Sequence, residues 1–127
     1  MDPATVPLWG ADELRALTAT SAVPAACACA GLRCAGWESV SAPLGEPLLQ
    51  LRATLRDPAL DDPTLDEWPG SRYWAADAPI SPRHFPYNRC QVWACAACGS
   101  GFLQYTEYGG YYVDHRVRRV EPALVQE

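Results

Sequence analysis

The pentapeptide Cys95-Ala96-Ala97-Cys98-Gly99 limits what this chain can fold into more than any other stretch. A Cys-x-x-Cys-Gly turn at the tip of a hairpin aims two thiolates at one point. A tetrahedral metal needs four such ligands, and for zinc the metal–sulfur length is ~2.3 Å. An apolar run precedes the knuckle and another follows it, with an alternating stretch from Tyr111 to Val120 beyond. This pattern predicts strands on both sides of a metal-binding turn.

The other two ligands must come from elsewhere. Residues 25–37 read AACACAGLRCAGW, with Gly31 and Gly36 breaking any regular element. Such a loop can wrap around a metal. Cys29-x4-Cys34 has the usual ligand spacing, so the expected set is Cys29, Cys34, Cys95 and Cys98. Cys27-x-Cys29 is the alternative pairing. Cys90 lies on the same expected strand as Cys95, ~16 Å away and on the opposite face, which excludes it as a co-ligand. It reads as a small buried residue. A redox Cys-x-x-Cys is the rival reading, but that motif opens a helix after a strand. Here Gly99, Ser100 and Gly101 lead into another strand.

The compartment supports metal. The start, MDPATVPLWG, has neither a basic n-region nor an apolar h-region, so no secretory signal is expected. No apolar run reaches the ~18 residues of a membrane span. A cytoplasmic chain keeps its thiols reduced, and six cysteines then point to zinc before disulfides.

At 127 residues one domain is expected, and 12 prolines with 9 glycines argue against long helices. Residues 1–24 read as a lead-in and first helix, Asp12 to Ala19, with Leu14 and Leu17 on one face. Residues 25–69 hold the cysteine loop, a short strand at Glu38 to Ala42, and an acidic connector. Within that region Pro47 to Leu55 fits either a helix or a strand. Residues 70–127 hold an aromatic cover, Gly70 to Asn88, and the hairpin sheet. The fold class is α+β: a small antiparallel sheet with a zinc-ribbon-like hairpin and one or two short helices.

A two-residue turn at Gly109-Gly110 would set the register. Tyr108 then faces Tyr111, Gln104 faces His115 and Phe102 faces Val117. That face is the more apolar and should cover the core. Tyr105 and Tyr112 would stand on the outer face. His115 reads as a hydrogen-bonded residue at the core edge rather than a base.

Charge narrows the function. Net charge is −5, and all the basic residues are arginine. Residues 1–71 carry ten acids against four arginines, while residues 72–127 carry five against six. A negative chain disfavours a phosphate-backbone binder, so nucleic acid is not the expected partner. A nucleic-acid-binding ribbon using Arg116, Arg118 and Arg119 is the second reading. No nucleophile–base pair, phosphate loop or framed carboxylate pair marks an enzyme. Asp57, Asp61, Asp62, Asp66 and Glu67, with Tyr105 and Tyr112, form the expected surface for a basic protein partner.

From about Trp68 onward, RYWAADAPISPRHFPYNRC, the Cys-x-x-Cys-Gly turn and FLQYTEYGGYYVDHRVR resemble a family of small bacterial proteins with a zinc-ribbon-like hairpin. That family is associated with toxin-neutralising immunity proteins. The resemblance covers under half the chain and supplies no catalytic residues. It implies a non-catalytic binder that neutralises a toxin domain by direct contact.

Overall fold

The computed structural model describes residues 6–18, 27, 29, 36–60, 63–70 and 72–126. Five strands form one antiparallel sheet: β1 (Glu38–Val40), β2 (Leu49–Thr54), β3 (Gln91–Cys95), β4 (Gly101–Tyr108) and β5 (Val113–Arg119). Their order is β1-β5-β4-β3-β2. One α-helix is described, α1 (Ala11–Thr18), with Asp12 and Glu13 in its first turn, where the helix dipole favours acids. The α+β class expected from the sequence is therefore present. Leu49–Thr54 resolves as a strand, not a helix.

Both faces of the sheet are buried, where the sequence suggested one. One core gathers Leu49, Cys95, Phe102 and Val117 with Cys29. The other gathers Val92, Leu103 and Tyr105 with Leu14 of α1, Ile80, Tyr87, Cys90 and Val125. Each fully buried Leu, Val or Phe stabilises the fold by roughly 1.5–3 kcal/mol. A bulge in β2 serves both cores. Leu51 pairs with Trp93 but Ala53 pairs with Val92, so Arg52 is the extra residue. The slip turns Ala53 to the α1 side while Leu49 stays on the other.

The second core exists because the aromatic cover is fastened down. Arg118 of β5 is fully buried and donates to the Tyr87 hydroxyl and to the carbonyls of Ala76 and Ala78. Ile80 pairs with the chain's end through Leu124 and Gln126. Arg15 of α1 donates to the Val125 carbonyl at 2.9 Å, tying helix to C-terminus.

The β4–β5 register differs from expectation. Tyr108 faces Val113, Thr106 faces His115 and Gln104 faces Val117. Residues 109–112 make a four-residue loop instead of a two-residue turn. The Gly109 amide donates to the Tyr112 carbonyl at 2.9 Å. A Cβ on Gly109 would come within 2.3 Å of the Tyr112 ring, so a larger residue there would have to displace that half-exposed side chain. The shift is two residues, an even number, so the same side chains still share each face.

Candidate metal centre

The knuckle spans the gap between β3 and β4. The Cys95 amide donates to the Ser100 carbonyl at 2.8 Å, and the Gly99 amide donates to the Cys95 carbonyl at 2.9 Å. Gly99 takes φ +81°, a left-handed conformation that glycine adopts without steric cost. The turn is anchored sideways by the Ala96 amide, which donates to the Leu48 carbonyl at the start of β2.

Cys27 and Cys29 arrive from the segment before β1. The sulfurs of Cys29 and Cys98 are 3.4 Å apart, those of Cys27 and Cys29 3.5 Å, and those of Cys27 and Cys95 3.6 Å. All four lie within 4.8 Å of one another. A regular tetrahedron with metal–sulfur bonds of ~2.3 Å has sulfur–sulfur edges of ~3.8 Å. The described sulfurs are therefore close enough together to hold a thiophilic cation. Their separations are well beyond the ~2.05 Å of a disulfide. Cys29 and Cys95 are buried, while Cys27 and Cys98 are partly exposed.

The thiols divide by environment. Burial pushes Cys98 up, but the Ser100 hydroxyl, 3.1 Å from its sulfur, together with the Ser100 amide and Cys29, brings it down to about 6. Burial likewise opposes ionisation of Cys95, and the amides of Cys98 and Ala97 outweigh it, so that thiol lies below its ordinary value. Cys29 is raised by burial and by its sulfur neighbours. The Cys29 backbone favours the Cys27 thiolate, but burial and the neighbouring sulfurs leave Cys27 raised too. The knuckle thus offers preformed thiolate character, and the N-terminal pair supplies thiols that must shed protons to ligate.

Of the expected ligands, Cys29, Cys95 and Cys98 meet. Cys34 lies outside the described residues, and Cys27 occupies the fourth corner. The Cys27-x-Cys29 spacing was the signal for it. Cys90 falls in the opposite core, as strand geometry requires.

The expected partner surface fares unevenly. Asp57, Asp66 and Glu67 are described, while Asp61 and Asp62 are not. Tyr105 does not stand outward: it is only 7% exposed. Its hydroxyl accepts from Arg116 at 2.8 Å, and its ring meets Trp37 at 4.9 Å between centroids. Tyr112 is 55% exposed and belongs to the loop. His115 is held by Thr106, with 3.0 Å between Nδ1 and Oγ1. The arginines of the nucleic-acid reading are largely engaged, since Arg118 is buried and Arg116 pairs with Asp114 at 2.7 Å.

No protein-family model, curated protein or solved structure matches the chain. What the geometry defines is an α+β chain with a four-cysteine cluster able to hold a metal ion. Among the described residues, no helix is long and apolar enough to cross a membrane.

Proposed function

We propose that the chain is a non-catalytic protein-binding module held by a structural zinc, and in its sharpest form an immunity protein that captures a basic toxin domain. The zinc takes four thiolates, which leaves no open position for a substrate or a catalytic water. In this reading β3, the knuckle and β4 act as a zinc-ribbon hairpin, and Cys27 and Cys29 complete the site.

The observation that carries the binding role is the tip of the β4–β5 hairpin. Tyr108, Tyr111, Tyr112 and Val113 are all exposed there, Tyr111 fully. A contiguous set of exposed tyrosines is what recognition surfaces use, because each ring gives large area with little side-chain entropy to lose. Position supports the same reading. Gln91, where β3 begins, pairs with both Thr54 and Gln104. The acidic segment leaves β2 at Thr54, and β4 runs on four residues to Tyr108, ~13 Å further. Asp57 and the exposed tyrosines therefore lie toward one end of the sheet, with Cys95 at the other.

A photo-crosslinking residue at Tyr111, introduced in the native host, tests this. The expected product is a single defined protein adduct that is lost when Tyr108 and Tyr112 are both changed to Ser. Adducts to nucleic acid, or protein adducts only from probes at the cysteine end, would replace the proposal.

A further inference from the structure

One edge of β4 lies open inside the sheet. β3 pairs with β4 only as far as Gln91 and Gln104, while β4 continues to Tyr108. Before Gln91 the chain turns away, through Cys90 and the helical turn Tyr87–Arg89. Backbone groups alternate sides along a strand. The Gly101 carbonyl accepts from the Val120 amide and the Gly109 amide donates to the Tyr112 carbonyl, so the odd residues of β4 address β5. The even ones address β3, and beyond Gln104 these are Thr106 and Tyr108. Among the described residues, nothing pairs with their amides and carbonyls on that side. The outer edge of β2 differs at Thr54, because the lead-in closes it. There the Thr54 amide donates to the Pro7 carbonyl, and the Thr54 carbonyl accepts from the Trp9 amide.

A groove of about 360 Å³ adjoins this edge, and its lining includes Arg56, Arg89, Gln91, Trp93, Thr106 and His115. Gln91, Thr106 and His115 share one face of the sheet by register, and Gln91 is exposed. The lining holds arginines and no carboxylate, in a chain whose net charge is −5. Arg56 donates to the Leu60 carbonyl at 2.6 Å, and the Arg89 guanidinium lies 5.5 Å from the Phe85 ring centroid. These contacts fix where both cations sit. A row of unpaired backbone donors and acceptors selects one kind of ligand, a second extended backbone. In strand addition the main chain supplies affinity, and pockets for alternate side chains supply specificity. The charge of this groove suits an anionic side chain.

We infer that an extended segment of a protein partner adds as a short strand along Thr106–Tyr108, with an Asp or Glu side chain in the groove beside Gln91. The amides and carbonyls of Thr106 and Tyr108 pair with the incoming main chain. Its alternate side chains fall on the face that carries Thr106 and His115, within reach of the groove. The inference rests on the protein-binding reading and names how one part of the surface engages the partner. The edge runs directly into the exposed tyrosines of the hairpin tip, since Tyr108 belongs to both.

The test is a titration of the ¹⁵N-labelled full chain with the peptide acetyl-Thr-Val-Glu-Val-Thr-amide, alongside its glutamine counterpart and two versions N-methylated at alternate amides. The glutamate peptide should shift the Thr106 and Tyr108 backbone amides and slow their hydrogen exchange. Glutamine, the same shape without charge, should bind roughly tenfold more weakly. Only one alternate set of peptide amides faces β4, so methylating that set should abolish binding and methylating the other should leave it. Gln91→Glu, an exposed change, should weaken the glutamate peptide more than the glutamine peptide. Equal binding of glutamate and glutamine, equal effects of the two methylation patterns, shifts confined to other surfaces, or no shift at millimolar peptide would each overturn the assignment. A partner captured at Tyr111 that leaves exchange at Thr106 and Tyr108 unchanged would remove this inference alone. Specific peptide binding with no protein adduct at Tyr111 would remove the hairpin-tip reading alone.

Discussion

The sulfur of Cys29 lies 3.4 Å from that of Cys98, across 69 positions of sequence. That contact joins the segment before β1 to the hairpin between β3 and β4, and it lies beside the core formed by Leu49, Phe102 and Val117. A cation shared by these thiols would fasten the two halves of the chain. Metal binding and folding of this end of the sheet would then be one process.

Metal uptake should release a defined number of protons. At pH 7.5 the metal-free Cys98 thiol, with its value near 6, is already ionised, whereas Cys27 and Cys29 are raised and carry protons. Cys95, lowered, contributes a fraction. Zinc binding should therefore release between two and three protons at pH 7.5. Below pH 6 Cys98 is also protonated, so the number rises toward four and affinity falls more steeply with acid. Calorimetry in buffers of different ionisation enthalpy counts the protons. Release of four at pH 7.5 would mean that the knuckle does not favour its thiolates.

Substitutions should separate the cysteines. Cys27→Ser, Cys29→Ser, Cys95→Ser and Cys98→Ser each remove a corner of the cluster and should abolish stoichiometric metal, with loss of cooperative thermal unfolding. Cys90→Ala, in the opposite core, should keep the metal and cost about 1 kcal/mol, the scale of deleting one buried heavy atom. Cys34→Ala should also keep it, because four other sulfurs already lie within 4.8 Å of one another. Metal content and denaturant midpoints check the series.

Two tyrosines of one hairpin should behave oppositely. Tyr105→Ala empties a buried site and leaves Arg116 without one of its acceptors, a loss of about 3–5 kcal/mol by analogy with other aromatic truncations. Tyr111→Ala, fully exposed, should change stability by less than about 0.5 kcal/mol. Chemical denaturation of both variants decides it. A stable Tyr105→Ala protein would mean that the second core is not formed.

Much of this was legible in the sequence, and the failures have physical causes. The knuckle, its flanking strands and the placement of Cys90 away from the site follow from spacing alone. The residues sharing each hairpin face are legible too, because the observed register differs from the expected one by an even number and side chains alternate with period two. The turn is not legible in the same way: the pairing ends at Tyr108 and Val113, leaving a four-residue loop whose length the Gly109-Gly110 dipeptide does not encode. The larger difference is that the Tyr105 face is buried. Leu103 and Tyr105 mixed with Glu107, Asp114 and Arg116 look solvent-facing in isolation. They are buried because Tyr73, Phe85 and Tyr87 lie over them and because Arg118 finds its acceptors in that cover. Irregular segments carry no periodicity, so nothing local announces where they will dock. Leu49 to Thr54 was ambiguous for a related reason: the bulge at Arg52 breaks strict alternation.

Zinc-edge X-ray absorption on protein purified without chelator probes the proposed ion and its four thiolates at first hand. The expected result is one zinc per chain with a single shell of four sulfurs at ~2.3 Å and no light-atom ligand. A folded protein without metal, or a shell containing nitrogen or oxygen, would contradict it.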